Sequence, residues 1–320
     1  MTTLTPAFQC MLAASEIPTE DQIRLPAMVS FKFDGFRGLP VNSTVMSREW
    51  KEVPCLKVRN WAKENADLLF GLDGELMAGD PTDEEAFNRA QKQFTRADGD
   101  PDFKFYVFGM VWNYDKSPVY NYVAKIRYEL LKRRLAEHPV DRVVLVEQRW
   151  IETLPQLKAM YAESLALGYE GLIGMDPNKT YKFGRSTLLE GILWKWKEWA
   201  DAEAVVTGIQ QGTKNMNEQT RDALGKAERS SAKAGKVPVD MVGSFLVRGL
   251  TGPHAGKDFK VGPGSLKEEE AREIWKRFQS GAVVGEVLTY KFQKGGTTKK
   301  PRFPGFKAFR PELQHLAQEK

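Results

Sequence analysis

Lys32-Phe33-Asp34-Gly35-Phe36-Arg37 carries the residue types best suited to covalent chemistry in this chain. A lysine amine attacks phosphorus once it is deprotonated, and burial together with neighbouring positive charge lowers its pKa toward that state. Gly35 lets the backbone turn tightly and approach a ligand. The run Ala27 to Phe33 predicts a strand, so Lys32 stands at a strand end where a turn exposes it. Four fixed positions of this kind arise by chance in on the order of one chain per few hundred, so the companions decide.

Asp73-Gly74-Glu75-Leu76 and Glu170-Gly171-Leu172-Ile173 each set an acid beside a predicted strand. Trp194-Lys195-Trp196-Lys197 alternates ring and cation, which on a strand puts Lys195 and Lys197 on one face. In Phe105-Tyr106-Val107-Phe108, Tyr106 and Phe108 share a face and can present a ring. Taken singly, each has a plainer reading, because a Glu after a strand is usually solvated and a Phe-rich strand is usually core.

The elements that must position these residues fall into two groups. Up to about residue 200, short runs rich in β-branched and aromatic residues predict strands at Ala27 to Phe33, Gly71 to Met77, Phe103 to Trp112, Val143 to Gln148 and Gly171 to Met175. Helical spacing predicts helices at Lys57 to Leu69, Glu84 to Gln93, Val123 to Glu137 and Leu154 to Leu167, the last stopped by Gly168. Beyond Lys197 the pattern changes. Ala202 to Ile209, Met241 to Arg248, Asp258 to Val261 and Val283 to Phe292 read as strands, with a single helix at Leu266 to Phe278. That set fits a small barrel of the OB type, a fold that commonly binds nucleic acid. Between its strands, 212–237 is polar, with six Lys/Arg against three acids, and reads as a mobile insertion.

Charge and composition narrow the classes. The chain has 320 residues, enough for two domains, and 47 Lys+Arg against 42 Asp+Glu, a net charge of +5. The excess is local: Lys291, Lys294, Lys299, Lys300, Arg302, Lys307 and Arg310 lie in one stretch without an acid, interleaved with Phe292, Phe303, Phe306 and Phe309. Cations alternating with flat rings suit a nucleic-acid surface, although a solvated basic tail has the same composition. Two cysteines exclude a disulfide framework and point to a reducing compartment, and three scattered histidines give no zinc cluster. No apolar run reaches membrane-spanning length, and the N-terminus has no secretory pattern.

In this order, the motifs resemble those of the covalent nucleotidyltransferases: ATP-dependent DNA ligases, RNA ligases and mRNA capping enzymes. The compact ATP-dependent DNA ligases of bacteriophages and bacteria are the nearest in pattern. Ser47-Arg48 resembles their second motif. Tyr181-Lys182-Phe183-Gly184-Arg185-Ser186-Thr187 resembles the link from the fourth motif to the fifth, and Pro301-Arg302-Phe303-Pro304-Gly305-Phe306 the last barrel motif. The resemblance implies an α+β protein. An ATP-grasp-like nucleotidyltransferase domain at 1–199, with antiparallel sheets and helices, precedes an OB-fold β-barrel at 200–320. It implies a monomer that takes ATP, Mg²⁺ (or Mn²⁺) and nicked duplex DNA, without a membrane, in the cytoplasm of a bacterium or an infected host.

By that resemblance Lys32 takes AMP from ATP, and Lys195 and Lys197 hold the α-phosphate while their charge helps keep Lys32 neutral. Glu75 and Glu170 bind ribose and metal. Phe31, Asp34 and Arg37 join the nucleotide site, with Phe108 the first choice and Tyr106 the second for stacking on adenine. Arg37, Arg48 and Arg185 grip nick phosphates, and Arg302 and Lys307 bind DNA from the barrel. The sequence departs from the family at Gly174-Met175, where the fourth motif usually ends in lysine, leaving that contact to Lys179 or Lys182. Phe108-Gly109 replaces Phe-Asp, and Arg310-Pro311-Glu312-Leu313 replaces Arg-x-Asp-Lys. The rival readings are an RNA ligase, a capping enzyme, or a nucleic-acid-binding protein with a dead transferase site.

Overall fold

In the segment Phe103-Lys104-Phe105-Tyr106-Val107, alternate side chains are fully buried, and this pattern makes it an inner strand of a sheet. The computed structural model describes residues 9–197, 199–293 and 300–317. Contacts divide the chain into one unit that runs to Lys197 and also takes in Asp222–Lys226, and a second that takes in the rest.

The first unit contains β1 (Ala27–Phe31), β2 (Phe36–Val41), β3 (Thr44–Met46), α1 (Leu56–Glu64), α2 (Ala66–Leu69), β4 (Leu72–Ala78), α3 (Ala86–Phe94) and β5 (Phe103–Met110). Then follow α4 (Ala124–Glu137), β6 (Val143–Leu145), β7 (Arg149–Ile151), α5 (Leu154–Ala166), β8 (Leu172–Met175) and β9 (Leu193–Trp196). One sheet has the order β3-β2-β4-β5-β6, antiparallel except for the parallel pair β5–β6. The other, β7-β1-β8-β9, is antiparallel throughout. Leu72, Leu76, Phe94, Phe103, Phe105 and Leu131 fill the core of the first, and Val29, Leu157, Met160, Leu172 and Trp194 that of the second. Burying such a side chain contributes roughly 1.5–3 kcal/mol, against at most about 1 for a surface ion pair, so these faces hold the scaffold.

The second unit contains β10 (Trp199–Asn215), β11 (Gln219–Arg221), β12 (Ala227–Arg229), β13 (Lys236–Gly249), β14 (Asp258–Val261), α6 (Glu268–Gln279), β15 (Val287–Gln293) and β16 (Arg302–Phe309). Its main sheet runs β14-β13-β10-β15-β16 around Phe245, Tyr290 and Phe306. Register shifts along β10 and β13 let the long strands bend. At one corner the edges meet: Gly262 N–H donates to Pro304 O at 2.9 Å and Phe306 N–H to Gly262 O at 3.0 Å. Among the described residues no helix is long and apolar enough to cross a membrane.

Several expectations need correction. The helix expected over Lys57 to Leu69 breaks at Asn65, whose side chain donates to Trp61 O at 2.9 Å and competes with the helical ladder. Val143 to Gln148 is not one strand. After β6 the chain crosses to the other sheet as β7, and Gln148 holds the corner by donating to Phe108 O at 2.7 Å. The polar stretch 212–237 is not a loop: β10 and β13 continue as a ribbon to Asn215↔Lys236, and β11 and β12 form a hairpin. Both faces of that hairpin are exposed, so no apolar alternation marks it. The basic stretch includes β16, anchored by Phe306 stacked on Phe245 at 5.0 Å. Lys294 and Lys299 lie outside the described residues.

Two arginines on α4 point inward. Arg134 is 3% exposed and donates to Trp112 O, Leu68 O and Phe70 O at 2.8–2.9 Å, while burial brings its guanidinium down to about 10. It thereby ties α4 to the turn that leads into β4. Arg134→Met should lower stability by about 2–4 kcal/mol, because three buried carbonyls lose their donors. Urea unfolding measures this, and an unchanged midpoint would show that water replaces the arginine.

Candidate active site

β1 and β8 bring the reactive residues together. Beyond the pair Phe31↔Leu172, Lys32 N–H donates to Gly171 O at 2.8 Å and Glu170 N–H donates to Lys32 O at 3.4 Å. This ladder sets the Lys32 ammonium against the Glu170 carboxylate, 138 residues apart in the chain. Gly171 has φ +142°, and a Cβ there would lie 2.3 Å from Trp196 O. Only glycine therefore lets β9 approach closely enough for Lys197 Nζ to reach Glu170 Oε1 at 2.7 Å.

Glu170 is thus held between two ammoniums, with its side chain 4% exposed. Burial alone would push its carboxyl up, but Lys32 and Lys197 outweigh burial and hold it below the usual carboxylate range. Burial likewise pulls Lys32 down, and Glu170 more than restores it, so Lys32 sits above the ordinary lysine value. This corrects the expectation that neighbouring lysines keep Lys32 neutral: in this arrangement it is charged. Asp34, half-buried on the following turn, and Glu75 add to the same effect.

Glu75 reaches the site from β4, paired opposite Arg37 of β2. It accepts from Gly35 N–H at 3.2 Å, and burial pushes its carboxyl up to about 7 against the pull of Arg37 and Lys32. Arg37 binds both oxygens of Asp73, at 2.6 and 2.7 Å. Lys195 takes a different direction from Lys197. It donates to Ala14 O and Ser15 O at 2.8 and 2.9 Å, and burial with Lys197, Arg185 and Lys32 nearby brings it down to about 8. Arg185 donates to Ala13 O at 2.8 Å. Arg48 is exposed beside Glu49 at 3.6 Å.

The residues that flank Lys32 and Glu170 in sequence lead to an aromatic pocket of about 250 Å³, lined by Phe31, Phe33, Tyr106 and Tyr169 with Val144–Glu147, Arg149 and Met160. Phe33 stacks on Tyr106 at 4.6 Å and Phe31 on Tyr169 at 4.8 Å. Tyr106, the second choice from sequence, lines this pocket. Phe108, the first choice, instead lies under the Arg37 guanidinium at 4.6 Å. Phe33, Tyr169 and Arg149 were missed, although Phe33 and Tyr169 directly adjoin Lys32 and Glu170 in sequence. The carbonyls of 11–15 carry no side-chain signal at all. Lys182, a candidate for the missing fourth-motif lysine, pairs with Glu190 at 2.5 Å.

In the second unit, Lys307 pairs with Asp201, and the Arg302 guanidinium lies 5.1 Å from the Phe303 ring centre. Among the described residues, no group of three His, Cys, Asp or Glu side chains could hold a metal ion. A cation at Glu75 and Glu170 would take its other oxygens from phosphate and water, which suits Mg²⁺.

Residues 11–197 match the family model of the ATP dependent DNA ligase domain, and residues 235–310 that of a DNA ligase OB-like domain. A DNA ligase of Haemophilus influenzae (strain ATCC 51907 / DSM 11121 / KW20 / Rd) is 24% identical over 279 residues, 86% of this chain and 84% of that protein. Two solved structures are similar in fold. The Chlorella virus DNA ligase-adenylate has 24% identity and a TM-score of 0.52, with 94% of this chain and 99% of that one covered. A Lig E DNA ligase has 23% identity and a TM-score of 0.66 over the same shares. With the ligase domain alone matching more than half of its residues, and the lysine, acids and aromatic pocket gathered within that match, the chain belongs to the ATP-dependent DNA ligases.

Proposed function

We propose that this ligase seals 5′-phosphate/3′-hydroxyl nicks in duplex DNA through AMP carried on Lys32. The observation that carries this reading is the part-buried set Lys32–Glu170–Lys197, whose sequence neighbours Phe31, Phe33 and Tyr169 line an aromatic pocket. The neutral Lys32 amine attacks the α-phosphorus of ATP, so a P–N bond forms, the bond to the β-phosphate oxygen breaks, pyrophosphate leaves and the amine sheds a proton. A 5′-phosphate oxygen then takes the AMP, which breaks the P–N bond. The 3′-hydroxyl finally attacks that phosphate, loses its proton and releases AMP. Each step is in-line substitution, so positioning and charge neutralisation dominate.

For the first step Glu170 must leave Lys32. Glu75 and Glu170 would hold Mg²⁺ or Mn²⁺, and the bound cation would supply charge neutralisation on the phosphates. Parted from Glu170, Lys32 loses the strongest of the charges that favour its ammonium, and its burial then favours the neutral amine. Lys197 and Lys195 meet the α-phosphate, Lys195 by exchanging two main-chain carbonyls for phosphate oxygens. Tyr106, with Phe31 and Phe33, stacks on the adenine in place of Phe108. Arg37, Arg48 and Arg185 bind nick phosphates. The two units act as the adenylation and OB domains, and Lys300, Arg302 and Lys307 belong to the DNA footprint.

Incubation with α-labelled ATP and Mg²⁺ should label the protein, and Lys32→Ala should abolish the label while nick binding persists. Label retained by that variant places the nucleophile elsewhere, and joining of nicked RNA in preference to DNA would favour the RNA-ligase reading.

The pH dependence follows from two lysines. Lys32, held above its ordinary value, gains neutral amine as pH rises, so kcat/KM for self-adenylation should climb about tenfold per unit below pH 8. Above about 8 Lys195 loses its charge and the profile should level off. Lys195→Arg stays charged, so its profile should keep climbing past pH 8. A plateau at the same pH in that variant would exclude Lys195 as the cause.

Lys300→Glu with Arg302→Glu should weaken nicked-DNA binding and reduce the salt slope by about two, one for each phosphate left without its cation. An unchanged slope would remove both residues from the footprint.

A further inference from the structure

Arg37 is the most tightly framed cation of the site. Its Nε and Nη2 occupy both oxygens of Asp73, and Nη2 also donates to Met11 O at 3.2 Å. The Tyr181 hydroxyl joins the same two residues from the other side. It accepts from Met11 N–H at 2.7 Å and donates to Asp73 Oδ2 at 3.0 Å. The circuit Tyr181–Asp73–Arg37–Met11 therefore closes on itself. Its members come from β4, β2, the segment ahead of β1 and the loop ahead of β9, and Tyr181 is 170 residues from Met11 and 108 from Asp73.

The circuit is buried: Asp73 is 2% exposed, Met11 5% and Tyr181 7%. Phe108 supports the guanidinium face at 4.6 Å, and Arg127 lies 5.6 Å from the Tyr181 ring centre. Among the described residues Nη1 of Arg37 donates to no partner. A guanidinium fixed through two of its nitrogens offers the third in one direction, at no further cost in side-chain freedom when a ligand arrives. In such surroundings a hydrogen bond to a charged group is strong, and its loss leaves a neighbour unsatisfied.

We infer that Tyr181 is a positioning residue for nick recognition: its hydroxyl, by bridging Asp73 and the Met11 amide, aims the Nη1 edge of Arg37 at the 5′-phosphate. This rests on Arg37 as a nick-phosphate ligand, as read under Proposed function. Tyr181 touches neither nucleotide nor DNA. It acts through the orientation of Arg37, so its removal affects the contribution of the 5′-phosphate rather than binding to duplex in general.

The test uses the full chain and two nicked duplexes of identical sequence, one with a 5′-phosphate and one with a 5′-hydroxyl. The quantity read is the ratio of their dissociation constants. Arg37→Ala should collapse the preference for 5′-phosphate, and Tyr181→Phe should reduce it by about tenfold, as expected for losing a hydrogen bond in a charged network. In the Arg37→Ala background Tyr181→Phe should add less than about twofold, because both act through one contact. Asp73→Asn, which keeps the shape but not the charge, should resemble Tyr181→Phe, and thermal midpoints confirm folding of each variant. A purely structural Tyr181 would weaken both duplexes equally and multiply with Arg37→Ala, which overturns the inference while leaving Arg37 in place. If Arg37→Ala itself keeps the preference, the assignment of Arg37 fails and takes this inference with it.

Discussion

A carboxylate held between two ammoniums organises the first unit. Glu170 is buried, and a buried ion without a partner costs several kcal/mol, so β1, β8 and β9 must align for both Lys32 and Lys197 to reach it. One carboxylate against two ammoniums leaves the set with a net positive charge, and Asp34 and Glu75 are the further acids that act on Lys32. The same contact has a chemical consequence. It favours the protonated form of Lys32, which cannot act as a nucleophile. In the proposed reaction the arriving nucleotide draws this pair apart, so the nucleophile is released only where there is a phosphate for it to attack.

The remaining cations divide by what holds them. Arg37 is bound by a carboxylate, whereas Arg185 and Lys195 rest on main-chain carbonyls of Ala13, Ala14 and Ser15. A carbonyl is a dipole and a weaker partner than a carboxylate, so phosphate oxygens can displace it at small cost. Arg37, by contrast, keeps Asp73 and can only add a ligand at its open edge. One segment, 11–15, therefore supports three site cations through its backbone. Its fold is anchored by Leu12 N–H on Gly184 O and Ser186 N–H on Leu12 O, at 2.9 and 2.8 Å.

How much of this the sequence could reveal depends on whether side-chain type or backbone carries the information. Lys32, Glu75, Glu170 and Lys197 stand in motifs whose residue types are the chemistry, and they were legible. The strands with alternating burial were legible too, β5 above all. β2 was not, because Gly38 and Pro40 interrupt any strand signal, and neither were β11 and β12, exposed on both faces. The carbonyls of 11–15 leave no trace in residue type. Alternation showed that Tyr106 and Phe108 share a face, but not that Arg37 from β2, two strands away, would cover one ring and leave the other to the pocket.

That allocation of rings bears on how a base is chosen. Phe33 and Tyr106 stack at 4.6 Å, and Phe31 and Tyr169 at 4.8 Å, so the rings satisfy one another before any base arrives. Entry of a base exchanges one aromatic contact for another, and the net gain from stacking is small. Stacking also accepts any base, since each has a flat face. If the proposed adenine site is this pocket, selection among purines must come from polar groups at the base edge, and Glu147 and Arg149 are the charged side chains that line it. A pocket that reads a base by a hydrogen bond rejects the wrong one because its own polar group is then left unpaired. On the proposed assignment the aromatic rings supply the slot, and the choice between bases falls to its polar rim.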